Sequence, residues 1–246
     1  MIGIIGYGRF GRLMAHYLGK DFTVRVFDRH RPAGMVLGPG IATESLARVC
    51  RRPVVILAVP ISAMEAVLGQ IAPLVRPKAL VVDVCSVKAL PAQWMEAVLP
   101  ASVAILATHP MFGPDSAAQC LEGRKIVVCP VRIGQAPLQR ITGYLKAKGL
   151  VVVNATAQRH DAQMAFSLGL THFVGRALER IGAQPLEMDT EGYRRLLRIL
   201  EVVTNDTWQL FVDMHRFNPQ TPAVRQAFMA ALEQIHGEIG NGKLEN

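Results

Sequence analysis

Short runs that are apolar at every position recur through the first 150 residues, each followed by a stretch with helical spacing. Ile2–Ile5 leads into glycines and then Phe10, Leu13, Met14, Tyr17 and Leu18, which recur at three and four residues as on one helix face. Residues 22–27, 54–59, 79–84, 103–107, 126–129 and 151–153 read as further strands, with helices predicted over 63–74, 89–99 and 136–148. Strands without polar alternation are covered on both faces. The pattern therefore predicts an α/β domain over residues 1–156, a doubly wound, mostly parallel sheet of Rossmann type, with ligands outside the carboxyl ends of its strands.

The strand signal stops near Gln158. Helical spacing takes over at 161–181, 191–215 and 223–239. Phe166, Leu170, Phe173 and Val174 in the first stretch and Leu196, Leu197, Leu200 and Val203 in the second are too many apolar positions for exposed helices. Residues 157–246 are thus expected to form an all-helical domain that pairs with a second copy of the chain as a homodimer. No repeat, low-complexity tract or linker interrupts the pattern, and residues 237–246 are expected to be a frayed tail.

The turn after the first strand reads Gly6, Tyr7, Gly8, Arg9, Phe10, Gly11, and the second strand ends in Asp28. Strand, glycine turn, helix, strand and acid in this order point to dinucleotide binding, because each part has a mechanical task. The first glycine allows the tight turn, the second lets backbone approach a pyrophosphate, and the third lets helix and strand pack closely. The helix N-terminus offers N–H groups and a partial positive charge to the anion. Asp28 would take the ribose hydroxyls and so favours NAD; Arg29 and Arg31 follow at once and could pair with a 2′-phosphate, which keeps NADP open. Val59 and Pro60, where the 54–59 strand ends, are placed beside the same cofactor.

Composition narrows the classes without choosing among them. The 246 residues carry 27 Lys+Arg against 19 Asp+Glu, a formal charge of +8. The basic residues are scattered rather than run together with aromatics, which argues against nucleic acid and leaves small anionic ligands. Cys50, Cys85, Cys120 and Cys129 form no Cys-x-x-Cys pair and have no histidine at finger spacing, so neither a metal site nor a disulfide framework is expected. No apolar run reaches the ~18 residues of a membrane span, and the N-terminus enters a strand directly, so a cytoplasmic protein without signal peptide, anchor or membrane association is expected.

Two segments fall at strand ends on the cofactor side: Asp83 to Lys88, and His109, Pro110, Met111, Phe112, Gly113, Pro114. An imidazole with an ordinary pKa near ~6.5 can take a proton from a hydroxyl as hydride leaves its carbon. His109 is the candidate base, and Ser86 a hydroxyl to orient the same oxygen. The alternative for Ser86 is an N-cap of the helix near Ala89; for His109 it is a buried structural role, against which the following proline and glycine argue.

With these runs, with His160 and Asp161, and with His172 eleven residues beyond that aspartate, the chain resembles the prephenate and arogenate dehydrogenases of tyrosine biosynthesis. The resemblance extends from Ile2 through Thr171–Arg176 to Gly192, Tyr193 and Trp208. It implies that His109 hydrogen-bonds the ring hydroxyl and promotes its oxidation, that Ser86 assists, and that Arg198 binds a substrate carboxylate. Arg194, one turn earlier, and His172 would lie at the same substrate. Where the commonest bacterial members carry Ser-His-Leu-Pro-His, this chain has Leu168, Gly169, Leu170, Thr171 and His172, a form more similar to plant-type arogenate enzymes. The expected reaction is oxidative decarboxylation of prephenate to 4-hydroxyphenylpyruvate with NAD, and no metal. Arogenate as substrate, a β-hydroxyacid dehydrogenase of the same fold and a non-catalytic dinucleotide sensor are the alternatives. The length leaves no room for a fused mutase or regulatory domain.

Overall fold

The structure is a computed structural model and describes residues 1–240. It divides into two compact units, Met1–His160 and Asp161 onward. The first unit runs β1 (Ile2–Ile5), α1 (Arg9–Leu18), β2 (Val24–Phe27), β3 (Val36–Gly38), β4 (Ile41–Thr43), α2 (Leu46–Cys50), β5 (Val54–Leu57), a 3₁₀ turn (Ile61–Ala63), α3 (Met64–Ile71), β6 (Leu80–Asp83), α4 (Ala89–Val98), β7 (Ala104–Pro110), β8 (Lys125–Arg132), α5 (Gln135–Ala147) and β9 (Val151–Asn154), and enters α6 (Ala157–Met164).

The strands make one sheet in the order β3-β4-β2-β1-β5-β6-β7-β8-β9. The six from β4 to β7 are parallel. Chain direction along the sheet reverses between β1 and β5, where doubly wound folds bind their ligands. Burial follows the apolar runs: all four residues of β1 and three of β5 are buried, since helices cover the central strands on both sides. Ile4, Val24, Val26, Leu57, Val81, Ile105 and Leu106 are completely enclosed.

Several elements differ from the sequence pattern. The short strands β3 and β4 and helix α2 are absent from the sequence pattern: the two strands are only partly buried and carry no uniformly apolar run, and α2 is a single turn and a half. β7 extends three residues beyond Ala107, through Thr108, His109 and Pro110. It pairs antiparallel with β8, with His109 opposite Val127. His109 therefore lies inside a strand rather than in the turn after it.

The second unit holds the end of α6, a π-helical segment (Ala165–Leu170), α7 (Thr171–Arg180), α8 (Glu191–Thr204), α9 (Trp208–Phe217) and α10 (Thr221–Gly240). The expected continuous helix over 161–181 is interrupted by the π turn. That over 191–215 is cut at Asn205, Asp206 and Thr207, whose side chains compete for backbone groups; the Thr207 hydroxyl accepts from Leu210 N–H at 3.2 Å and restarts the chain as α9. The tail expected from 237 is helical through Gly240; its remainder, 241–246, lies outside the described residues.

Candidate active site

The glycine turn is held by the sheet. Gly6 N–H donates to the Phe27 carbonyl and Ala58 N–H to the Ile5 carbonyl, both at 2.8 Å. Gly6 has φ +98°, and a Cβ there would collide with the Ala58 carbonyl and press on Val59, so the chain leaving β5 closes directly against the turn through Ala58 and Val59, with Pro60 next along it at the start of the 3₁₀ turn. A Cβ at Gly11 would strike the Gly6 carbonyl, which is why α1 can begin so near β1. Gly8 caps α1 without a side-chain cap, and a Cβ there would meet nothing within 4 Å. An uncapped helix N-terminus beside open space fits a pyrophosphate.

Asp28 lies across from this turn. One carboxylate oxygen accepts Tyr7 N–H at 2.8 Å and the other His30 N–H at 2.9 Å. Partial burial pushes its pKa up, but the two N–H donors with His30 and Arg31 outweigh it, so the carboxyl is held below its ordinary range. It is an anion where a ribose would sit. Arg29 Nε donates to His30 Nε2 at 2.9 Å, and the Tyr7 ring has the Arg31 and Arg12 guanidinium groups 5.2 and 5.8 Å from its centre. Arg9 and Phe10 face the segment after β7: Arg9 pairs with both oxygens of Asp115 at 2.6 and 2.8 Å, and Phe10 lies 6.3 Å from Phe112 between ring centres.

The second half of the site grows from the ends of β6 and β7, where Asp83 is level with Ala107. Asp83 is fully buried and binds four groups: Cys85 N–H at 3.0 Å, Thr108 N–H at 3.3 Å, the Thr108 hydroxyl through its carbonyl at 2.6 Å, and the Lys88 ammonium. Lys88, also fully buried, donates to the Thr108 carbonyl at 2.6 Å. This ion pair rivets both strand ends and the start of α4 beside His109. Sequence reasoning overlooked it, because an Asp and a Lys five apart carry no sign of burial.

His109 is only 7% exposed, contrary to the expectation from the proline and glycine after it; the irregular turn begins beyond Pro110, leaving the ring under the sheet's cover. Its Nδ1 lies 2.8 Å from Nε2 of His160, with the two rings edge to face. Burial first, then His160 and the Lys88 charge, push the His109 pKa well below its ordinary value, so the ring is neutral at pH 7. Ser86 is not a helix cap, since α4 starts at Ala89 behind Lys88. Its Oγ is buried and has no partner among the described residues, a hydroxyl with hydrogen-bonding capacity left for a ligand.

In the helical unit His172 is 4% exposed, with Nε2 3.7 Å from Asp206 and Nδ1 without a partner among the described residues. Burial and then Arg176 lower its pKa to about 4. Arg176 donates to the Asp206 carbonyl at 2.6 Å and to Glu179 at 2.9 Å, beneath Trp208 and Phe211. Arg194 and Arg198 do come together, but around Glu191, at 3.3 and 3.9 Å, with Arg195 at 3.2 Å. Their side chains are 53% and 70% exposed within the unit.

Residues 28–154 match the family described as prephenate dehydrogenase, nucleotide-binding domain, and residues 177–245 match a TYRAAT1-like C-terminal domain. Arogenate dehydrogenase 2, chloroplastic, of Arabidopsis thaliana is 30% identical over 97% of this chain and 69% of its own length; arogenate dehydrogenase 1, chloroplastic, of the same plant is 31% identical over 97% and 39%. A probable arogenate/prephenate dehydrogenase of Methanocaldococcus jannaschii is 28% identical over 98% and 57%. Among solved structures, the fold matches prephenate dehydrogenase from A. aeolicus, in complex with hydroxyphenyl propionate and NAD+, with TM-score 0.73 at 19% identity over 97% of this chain and 90% of that one. It also matches Synechocystis arogenate dehydrogenase at TM-score 0.69 and 20% identity, over 98% and 92%. By the match over its nucleotide-binding unit and by these relatives, the chain belongs to the prephenate/arogenate dehydrogenase family of NAD(P)-dependent oxidoreductases.

Proposed function

We propose that this chain catalyses the oxidative decarboxylation of prephenate to 4-hydroxyphenylpyruvate with NAD. The observation that carries the reading is His109: a buried, neutral imidazole with one nitrogen engaged by His160, on a strand end of the same sheet that forms the cofactor turn. NAD supplies the hydride acceptor when bound, its pyrophosphate on Gly6–Gly11 and the α1 N-terminus and its ribose on Asp28. The anionic carboxylate of Asp28 disfavours a 2′-phosphate, and Arg29 is turned to His30. His109 takes the proton of the ring hydroxyl as the hydride leaves the carbon bearing it, and Ser86 Oγ holds that oxygen. The dienone then loses its ring carboxylate as CO₂, and aromatisation makes the step irreversible. What the protein contributes is orientation and charge stabilisation.

From the helical unit, Arg198 and Arg194 supply guanidinium groups for a substrate carboxylate, in competition with Glu191, and His172 a neutral donor or acceptor. The same unit is proposed to pair two copies of the chain. A second reading, arogenate converted to tyrosine, is favoured by the two Arabidopsis relatives named as arogenate dehydrogenases. Both readings are tested by mixing purified protein with prephenate or arogenate and NAD or NADP and following reduced nicotinamide. Turnover is expected with prephenate and NAD; turnover on arogenate alone selects the second reading, and none with any pair removes both.

A further inference from the structure

The reaction asks for a bare lone pair on His109, and a neutral imidazole has one bare nitrogen and one that carries hydrogen. His109 Nδ1 is 2.8 Å from His160 Nε2, so one ring donates and the other accepts. If His160 donated, His109 would hold its hydrogen on Nε2 and could not take a proton there. We propose that His160 is a positioning residue that accepts the Nδ1–H of His109 and thereby fixes the tautomer whose Nε2 is the base, an inference that rests on the reaction proposed above.

The surroundings support this direction. His160 is set by its own helix start: the Thr156 hydroxyl accepts Arg159 N–H at 3.1 Å, and the Thr156 carbonyl accepts His160 N–H at 3.0 Å. Its ring is 3% exposed and cannot exchange His109 for bulk water. His109 has the His160 ring of α6 at its Nδ1 and the charge of Lys88, before α4, acting on it, that lysine being paired with Asp83 of β6; its backbone lies opposite Val127 on β8. With a histidine nitrogen as its acceptor, the Nδ1 hydrogen stays on His109 and Nε2 stays bare. When the substrate proton arrives on Nε2, the imidazolium donates from both nitrogens and the bond to His160 strengthens as a charge-assisted one. The proton stays on His109 until it passes to solvent, and the electron pair leaves with the hydride, so the balance is that of the parent reaction. A histidine occupies the position that a carboxylate fills in hydrolase triads.

The test has two independent arms on the full chain. In ¹⁵N-histidine spectra of the wild-type protein at pH 7.5, with signals assigned through His109→Asn and His160→Gln, His109 is expected to show a protonated Nδ1 and a bare Nε2. A protonated Nε2 on His109 overturns the inference even if turnover on prephenate or arogenate is found. In kinetics, His160→Leu is expected to lose about 10²-fold in kcat with KM values within about threefold. His160→Gln, whose Oε1 reaches the place of Nε2, should stay within about tenfold of wild type. Equal losses in the two variants, or wild-type kcat in His160→Leu, overturn it. Absence of turnover by the wild type sinks the proposed reaction instead, and the spectra then stand alone.

Discussion

At the scale of single residues, His109 and Gly11 make separable demands. His109→Asn removes the proposed base while an amide can still fill the pocket; kcat should fall by about 10²–10⁴-fold with the dissociation constant for NAD, measured by calorimetry, nearly unchanged. Turnover near wild type would take His109 out of the chemistry. Gly11→Ala acts elsewhere: its methyl strikes the Gly6 carbonyl, so α1 must lift from the turn, at a cost of about 1–3 kcal/mol. Weaker NAD binding with kcat at saturation retained is the expected pattern, and unaltered NAD affinity would contradict the cradle. The glycine turn, Asp28 and His109 were legible in the sequence because each belongs to a local grammar of strand, turn and helix. His160 was legible only as part of a motif. Its contact with His109 joins residues 51 apart, and no periodicity encodes a pairing across that distance.

At the scale of elements, the seam between β6 and β7 depends on a buried charge pair. Lys88→Met leaves Asp83 enclosed and without its cation, which costs about 3–5 kcal/mol; a lowered denaturation midpoint should appear in urea, with activity lost in the remaining folded fraction. A midpoint equal to wild type would mean that Asp83 finds other compensation. The central strands β1 and β5 were readable because burial on both faces keeps them apolar at every position. The partly buried β3 and β4 and the short α2 were not, having no such run, and the helices of the second unit were read as too long because Asn205–Thr207 and the π turn at Ala165–Leu170 interrupt the backbone without interrupting the apolar spacing.

At the scale of the whole molecule, pH acts on stability through buried histidines. His172 and His215 in the helical unit are held to about 4, largely by burial. Unfolded, each ring takes up a proton near pH ~6.5. Stability from these rings is therefore complete above about pH 6.5 and declines as pH falls toward 4, because only the unfolded chain gains protons in that window. Thermal melts followed between pH 7.5 and 4.5 should move down in temperature as acid is added, and His172→Gln should flatten that slope; an unchanged slope would mean other groups govern it. Assembly is the second whole-molecule question. Met188, Ile181, Val202, Leu196, Leu232 and Ile235 are exposed on the helical unit, and light scattering should give twice the 26.9 kDa chain mass; a monomer at micromolar concentration would refute pairing. One consequence remains in the strand that carries His109. Loops can lengthen, shorten and drift among related sequences while a fold persists, but a proposed base whose backbone is bonded into a ladder opposite Val127 has no such freedom. Selection for a new substrate must work on everything around this histidine and leave its backbone untouched, so the reaction type should be the most slowly changing trait of the lineage.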